Sequence, residues 1–283
     1  MTLRLLALAA VGALAASQML APKVLANVFA ADGRDPRRIQ PRSGDGQAFA
    51  AIGIVRNNSP IAMLDDDDHL LYARGEATAF MVSPCLAVTN YHAVFGEDSG
   101  PTRGDIDHSV TLSIGDRPGG RGFKTQVRAV PAYWGAFDED HEGQDWTVLR
   151  LDRCVGADEA VGWLDLDGGG AGGGLSIAGY PGDKDQAVLW RADNCRVSKR
   201  PGDADLWSSD CAASPGASGS PVFATRGGVI TVVGIMEGAE DDQDGVQRRY
   251  EPTSANLVVD VNSILQRADV RAAIDADIKA LQN

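Results

Sequence analysis

Three serines stand within the ten residues "SPGASGSPVF" (214 to 223), and a serine hydroxyl can attack a carbonyl carbon. The hydroxyl is a weak nucleophile until a neighbouring base, usually a histidine, accepts its proton. A run of small residues is also typical of a flexible linker. The strand-like sequence "PVFAT" follows at once, which favours an anchored turn over a linker.

Four histidines are available as the base, and all of them precede residue 214. This order excludes the α/β-hydrolase arrangement, in which the histidine follows the serine. His69, His108 and His141 lie in acidic segments typical of solvated loops. His92 instead ends the apolar run "CLAVTNYHAVF", where a side chain is partly buried and held in place. Both a catalytic base and a structural histidine fit that position.

A histidine base is oriented by a carboxylate that accepts its second N–H. Asp145 stands at the head of the alternating run "DWTVLRL", at the mouth of a predicted buried strand. The other acids fall in clusters at 65–68, 138–142 and 240–244. Because most charge clusters are solvated, Asp145 is the preferred candidate.

The elements that must position these residues are predicted to be strands. From Phe49 onwards, short apolar runs alternate with turns rich in Gly, Pro and Asp, a pattern typical of a β-barrel or sandwich. The segment "DGGGAGGG" (167–174) predicts a loose connection between two β-rich halves. A C-terminal amphipathic helix is predicted from apolar residues at three- and four-residue spacing, namely Val270, Ile274, Ile278 and Leu281.

The N-terminal segment predicts export. Arg4 precedes an apolar stretch that is shorter than the roughly 20 residues of a membrane span. We expect a signal peptide over 1–26, cleaved after Ala26, with Ala15 as a rival site and an uncleaved anchor as the alternative. Residues 27–48 predict a flexible lead-in or a removable propeptide, and 49–283 form the folded domain. The protein is then secreted or periplasmic, without stable membrane association after cleavage.

The formal net charge of −13 argues against a nucleic-acid partner, because an acidic surface repels phosphate backbones. Four cysteines behind an export signal predict two disulfides, and their spacing does not fit a zinc site. Of the three possible pairings we favour Cys195–Cys211, the nearest in sequence, and Cys85–Cys154.

No cofactor or metal is predicted. The segment "EDDQDGVQRRYE" (240–251) is similar to a calcium-binding loop in its spacing of oxygen side chains. It begins with Glu in place of Asp, and strand-like runs flank it in place of helices. A solvated loop is therefore the favoured interpretation.

Three motifs carry a resemblance to a known family. "TNYHAV", "DWTVLRL" and "SPGASGSPVF" resemble the histidine, aspartate and serine motifs of chymotrypsin-like (trypsin-family) serine proteases, in that family's order. "LSIAGYPGD" resembles a segment of the bacterial trypsin-like branch related to glutamyl endopeptidases. The resemblance covers roughly residues 50 to 263.

The resemblance implies an all-β fold of two six-stranded antiparallel β-barrels with the active site between them. The first barrel would span about 49–166 and the second about 175–263. The C-terminal α-helix would follow at about 264–282.

The resemblance also implies roles for single residues. Ser218 would attack the scissile carbonyl, His92 would transfer the proton and Asp145 would orient His92. The backbone N–H groups of Gly216 and Ser218 would bind the oxyanion. The implied protein is a monomeric serine endopeptidase that forms an acyl-enzyme on a polypeptide substrate. The alternatives are a catalytically silent binding module and an esterase.

Some positions depart from the family. Ala217 stands where many animal relatives have an aspartate that pairs with a newly cut N-terminus. Ala212 and Met236, at positions implied to bind substrate, supply neither a tryptic acid nor the histidine of glutamyl endopeptidases. Glu237 would favour basic substrate residues if its side chain faced the pocket. The substrate-pairing strand would run near Glu237, Gly238 and Ala239.

Overall fold

The computed structural model describes residues 35, 37–41, 47–59, 61–64, 70–73, 75–96, 107–115, 123–138, 140–158, 161–170, 172–227, 229–239, 250 and 255–282. The predicted signal peptide and the acidic segments at 65–68 and 240–249 lie outside these residues.

Within the described residues the structure is mainly strands. The strands, β1 to β16 in chain order, are Arg38–Ile39, Ile52–Asn57, Ile61–Leu64, Leu70–Ala73, Glu76–Met81, Leu86–Thr89, Val110–Ile114, Thr125–Trp134, Thr147–Leu151, Asp165–Leu166, Gly173–Gly179, Trp190–Lys199, Leu206–Ser209, Pro221–Arg226, Val229–Ala239 and Asn256–Asp260. The α-helices are α1 (His92–Phe95), α2 (Asn262–Leu265) and α3 (Ala268–Ala280).

The strands close into two barrels. The first has the order β2-β5-β6-β9-β8-β7 and closes through the pairing of β2 with β7. The second has the order β12-β11-β14-β15-β16-β13 and closes through the pairing of β12 with β13. All of these pairings are antiparallel, so the predicted fold of two six-stranded antiparallel barrels is confirmed.

Alternation of apolar and polar side chains along a strand determines which face of the strand is buried. In β8, Val127 and Ala129 face the core while Gln126 and Arg128 are exposed, as a half-buried strand requires. A bulge follows Pro131, which lacks the N–H that a regular ladder needs. The bulge brings the end of β8 alongside the start of β9, near the position where Asp145 enters the fold.

The predicted disulfides Cys85–Cys154 and Cys195–Cys211 are both present. The first links the start of β6 to the segment after β9, and the second links β12 to the segment before Ser218. Each barrel therefore carries one covalent link between segments that flank its part of the candidate site.

The predicted C-terminal helix is present as α3, preceded by the short α2. Val270 of α3 is fully buried in the larger hydrophobic core. The carboxylate of Asp277 accepts hydrogen bonds from Cys85 N–H (2.8 Å) and Ser83 Oγ (2.5 Å). The helix therefore follows the second barrel in sequence but packs against the first. Among the described residues, no helix is long and apolar enough to cross a membrane.

Part of the predicted flexible lead-in is folded. Arg38 pairs with Ala192 and Ile39 with Arg191, so β1 extends the second barrel at β12. Asp35 and Arg38 are buried. Within the segment predicted to be a flexible lead-in or a propeptide, ion pairs and strand pairing thus hold Arg37, Arg38 and Ile39 against the second barrel. Their composition, rich in charge, gave no sign of burial.

Candidate active site

His92 and Asp145 meet because their strands pair. Thr89 at the end of β6 lies opposite Thr147 at the start of β9, so the residues next to these ends lie together. His92 begins α1, whose next three residues are buried and anchor it in the first barrel. Asp145 follows a 3-10 helix (Glu142–Gln144) and is completely buried.

Both carboxylate oxygens of Asp145 are engaged by His92. Asp145 Oδ2 lies 2.7 Å from His92 Nδ1, and Oδ1 accepts the backbone N–H of His92 at 2.9 Å. The Asn90 amide also donates to the backbone carbonyl of Asp145 (2.8 Å). Because an ionised carboxylate only accepts hydrogen bonds, the ring proton belongs on Nδ1. A neutral His92 then has Nε2 as an acceptor, which is the form that a general base needs.

The turn that carries Ser218 is fixed by two glycines. Gly216 and Gly219 have φ values of +84° and +81°, in the left-handed region that favours glycine. A Cβ on Gly219 would lie 2.0 Å from the carbonyl oxygen of Thr78, so no larger residue fits there. Ser218 is partly exposed, whereas Ser214 and Ser220 are buried. Exposure therefore selects Ser218 among the three serines of the stretch.

The Ser218 hydroxyl donates a hydrogen bond to the carbonyl oxygen of Glu237 at 2.9 Å. Two backbone hydrogen bonds hold the same turn, from Thr78 N–H to Ser218 O and from Gly219 N–H to Met236 O, both 2.8 Å. The nucleophile candidate is thus held between β5 of the first barrel and β15 of the second.

The peptide before Gly216 is oriented by the loop after β11. Gly182 N–H donates to the carbonyl oxygen of Pro215 at 2.6 Å. A trans peptide directs its C=O and N–H to opposite sides, so the N–H of Gly216 points away from Gly182. The carbonyl of Gly216 accepts the hydroxyl of Thr78 at 2.7 Å, which fixes the next peptide as well.

Thr78 is a site residue that the sequence analysis missed. Its hydroxyl donates to Gly216 and accepts the N–H of Tyr180 (3.0 Å), and its carbonyl accepts the hydroxyl of Thr89 (2.8 Å). It lies in the ordinary strand sequence "ATAFM", where a β-branched residue carries no special signal. Only the pairing of the two barrels reveals its position.

Glu237 does not present its charge to solvent. Its side chain is buried, and burial together with the nearby carboxylates of Asp145 and Glu142 raises its pKa well above the ordinary value, opposed by Arg200. Its Oε2 has no hydrogen-bond partner among the described residues. A buried carboxyl with a raised pKa is poorly suited to attract basic substrate side chains, which argues against a preference for basic residues through Glu237.

The other residues predicted to contact substrate lie around the second barrel's core. Ala212 and Met236 are buried, and Met236 belongs to a hydrophobic cluster with Val222, Trp207 and Val258. Gly238 is half-buried, and the register of β15 against β16 shifts between Met236 and Ala239. This irregularity interrupts regular pairing of β15 at the segment predicted to bind substrate.

Three comparisons with known proteins bear on this arrangement. The family described as "Trypsin-like peptidase domain" matches residues 77–235, from the start of β5 into β15. No curated protein sequence matches the chain significantly.

Two solved structures show a similar fold. A Glu endopeptidase in complex with MPD is 16% identical with a TM-score of 0.57, over 81% of this chain and 95% of that chain. A thermostable serine protease, AL20, from an extremophilic microorganism is 13% identical with a TM-score of 0.58, over 81% of this chain and 99% of that chain. Since the family match spans more than half of the chain, this protein belongs to the trypsin-like peptidase family and is a serine endopeptidase.

Proposed function

We propose that this serine endopeptidase cleaves peptide bonds with Ser218 as nucleophile, His92 as general base and acid, and Asp145 as the residue that orients His92. The observation that carries the proposal is the double engagement of His92 by the buried Asp145 carboxylate. That contact fixes the ring and its tautomer, and it stabilises the imidazolium that forms during proton transfer.

The reaction begins when the Ser218 hydroxyl exchanges its hydrogen bond with the Glu237 carbonyl for one with His92 Nε2. Oγ then attacks the substrate carbonyl carbon as its proton passes to His92, which gives a tetrahedral intermediate. The peptide C–N bond breaks, and His92 protonates the leaving amine. Water, activated by His92, attacks the acyl-enzyme ester and releases the acid product and the free serine.

The N–H groups of Gly216 and Ser218 are the proposed oxyanion donors. Support comes from the orientation of the Pro215–Gly216 peptide, whose carbonyl is held by Gly182 on the far side. Loss of one such donor typically costs about 10²- to 10³-fold in rate. A substrate strand is proposed to pair with the backbone of residues 237–239, where β15 is irregularly paired.

The proposal also covers export, the extent of the folded domain, the oligomeric state and the substrate class. The domain is proposed to be exported by the N-terminal signal, to fold over residues 49–283 with the lead-in attached, and to act as a monomer on polypeptides. The two disulfides support an oxidising compartment, since such bonds rarely persist in the cytosol.

A fluorophosphonate probe tests the nucleophile directly, because it modifies only an activated serine. We expect the wild type to be labelled on the tryptic peptide containing Ser218, and Ser218→Ala to remain unlabelled. Ser220→Ala is the matched control, since its buried hydroxyl makes no hydrogen bond among the described residues. Labelling of Ser218→Ala would overturn the assignment.

Absence of label on folded wild type would favour the silent binding module. Cleavage of p-nitrophenyl esters without cleavage of any member of a peptide library would favour the esterase.

A further inference from the structure

An arginine of the lead-in strand β1 is buried beside the nucleophile turn. The Arg38 side chain is 3% exposed, and arginine is almost never fully buried unless it is paired. Its partner is Asp183, in the loop after β11, which it contacts through two parallel hydrogen bonds of 2.6 and 2.7 Å. A bidentate guanidinium–carboxylate pair fixes direction as well as charge.

The Asp183 carboxylate continues to the nucleophile turn. Ser214 Oγ donates to Asp183 Oδ1 at 2.5 Å, and Gly182 N–H donates to Pro215 O. Burial alone would raise the pKa of Asp183, but hydrogen bonds from Arg38 and Ser214 outweigh it and lower the pKa. The Asp183 carboxylate therefore holds Ser214, and the neighbouring Gly182 holds Pro215, the two residues that precede Gly216.

The neighbouring arginine anchors the other end of the same segment. Arg37 Nη2 donates to the carbonyl oxygen of Asp210 (2.6 Å), and its guanidinium also pairs with the carboxylates of Asp210 and Asp35. Asp210 directly precedes Cys211 of the second disulfide. The lead-in thus contacts the segment directly at Asp210 and reaches Ser214 through Asp183, just before the proposed oxyanion donors.

The recess next to this network contains no charge from the turn itself. Arg38 lines it together with Ala212 and Ala217, which are both apolar. Arg191 also lines this recess, so the positive charge beside the turn comes from arginine side chains and does not require a free N-terminus.

We infer that Arg38 and Asp183 are positioning residues: the lead-in strand holds the Pro215–Gly216 peptide in the orientation that aims the Gly216 N–H at the oxyanion. The inference rests on the proposed function and deepens it. It also reverses the propeptide expectation, because removal of residues 35–41 would release the turn and lower activity.

The test compares Arg38→Ala, Arg38→Lys and Ser214→Ala with wild type. The control is Arg56→Ala, which removes an exposed ion pair with Glu76 on the first barrel. With the best peptide from a library profile, we expect Arg38→Ala to lower kcat about 10- to 100-fold with KM within about twofold, since one oxyanion donor is misaligned. Arg38→Lys keeps the positive charge but cannot form the bidentate pair with Asp183, so its kcat should lie between those of wild type and Arg38→Ala.

A pair of inhibitors separates positioning from general destabilisation. The first inhibitor is an aldehyde made from the best peptide, which forms a tetrahedral adduct with Ser218. The second is the corresponding alcohol, which binds without forming an adduct. We expect aldehyde affinity to fall in parallel with kcat/KM in Arg38→Ala and Ser214→Ala, and alcohol affinity to stay unchanged. Arg56→Ala should match wild type in both.

Folded variants that keep wild-type kcat, or that lose aldehyde and alcohol affinity equally, would overturn the inference and leave the proposed function intact. A wild type that neither cleaves peptide nor reacts with the fluorophosphonate would overturn both. If Arg38→Ala does not fold, Ser214→Ala provides the same test. It removes the hydrogen bond between Ser214 and Asp183 but keeps the Arg38–Asp183 pair.

Discussion

The two barrels hold their parts of the candidate site in different ways. In the first barrel, His92 and Asp145 hold each other across one strand pair, with Asn90 in support. In the second barrel, the turn around Ser218 is held by Thr78 from the other barrel and by Asp183. The Asp183 carboxylate in turn pairs with Arg38 of the lead-in. The proposed base is therefore positioned by contacts within its own barrel, whereas the proposed nucleophile and oxyanion donors also depend on the other barrel and on the lead-in.

This difference suggests where the site is robust. A buried carboxylate with both oxygens engaged is costly to disturb, because breaking the contact leaves a buried charge unpaired. A turn held by several remote contacts can lose one and stay folded while its peptides reorient. Substitutions around His92 should lower activity by removing a group that takes part in the reaction. Substitutions around Ser218 should lower activity by misaligning the peptides of the turn.

The largest effect is expected for Asp145→Asn. The amide cannot accept both contacts from His92, so the ring loses the tautomer in which Nε2 can accept a proton. We expect kcat to fall by about 10³- to 10⁴-fold with KM little changed. Steady-state kinetics on a peptide substrate measure this, with circular dichroism to verify folding. A variant with more than a tenth of wild-type kcat would remove Asp145 from the mechanism.

The local half of the site is also the half that the sequence predicts well. His92 and Asp145 each adjoin an apolar strand, and short-range alternation is enough to place both beside the core. In the other half, the glycines at 216 and 219 indicate a tight turn, because glycine tolerates positive φ values. The barrels were expected from strand spacing combined with the resemblance of three motifs.

The remote half could not be predicted, because it depends on which segments meet in space. Arg38 lies in a charged stretch that looks solvated, and Asp183 in a turn-like "PGDKD". Nothing in either local pattern indicates that the two form an ion pair 145 residues apart in sequence. The burial of Glu237 was unpredictable for a related reason: an acid near the proposed substrate strand suggests a pocket charge, yet its side chain is buried.

A smaller loss is expected at Thr78, the contact between the two halves. Thr78→Val keeps the shape but removes the hydroxyl that donates to the carbonyl of Gly216 and accepts the N–H of Tyr180, so both backbone groups lose this contact. We expect kcat to fall about 10- to 100-fold, and Thr78→Ser to restore most of it. Equal activity of the valine and serine variants would contradict a role for the hydroxyl in aligning the turn.

The two disulfides offer a matched comparison of the barrels. Replacing Cys85 and Cys154 by alanine opens a link spanning 69 residues, and replacing Cys195 and Cys211 opens one spanning 16. In the loop-entropy description these cost about 4 and about 3 kcal/mol of stability. We expect the second pair to lower kcat more, because Cys211 leads into the turn. Denaturant unfolding measures the two losses of stability, and kinetics on the folded fractions measure the difference in kcat.

The reverse order for activity would contradict the argument. If loss of Cys85–Cys154 impaired kcat more at a temperature where both variants are folded, the nucleophile turn would not be the part sensitive to remote support.

The smallest expected effect concerns Glu237, where the two halves touch. Its pKa is raised by burial and by the carboxylates of Asp145, Glu142 and Asp203, against the opposing charge of Arg200. Below the ordinary glutamate pKa both folded and unfolded chains hold the proton, so pH has no effect through this group. As pH rises above it, the unfolded chain releases the proton while the folded protein keeps it, and stability falls.

Glu237→Gln cannot titrate, so this loss should disappear. The free energy of unfolding of the variant, relative to wild type, should increase as pH rises above the ordinary glutamate pKa, with a slope of at most about 1.4 kcal/mol for each pH unit. Glu76→Gln, at an exposed ion pair on the first barrel, is the control. A difference that stays constant with pH, or that shrinks as pH rises, would mean that Glu237 is ionised in the folded protein. Asp145 would then share its surroundings with a second negative charge, and the first half of the site would be less self-contained than its hydrogen bonds indicate.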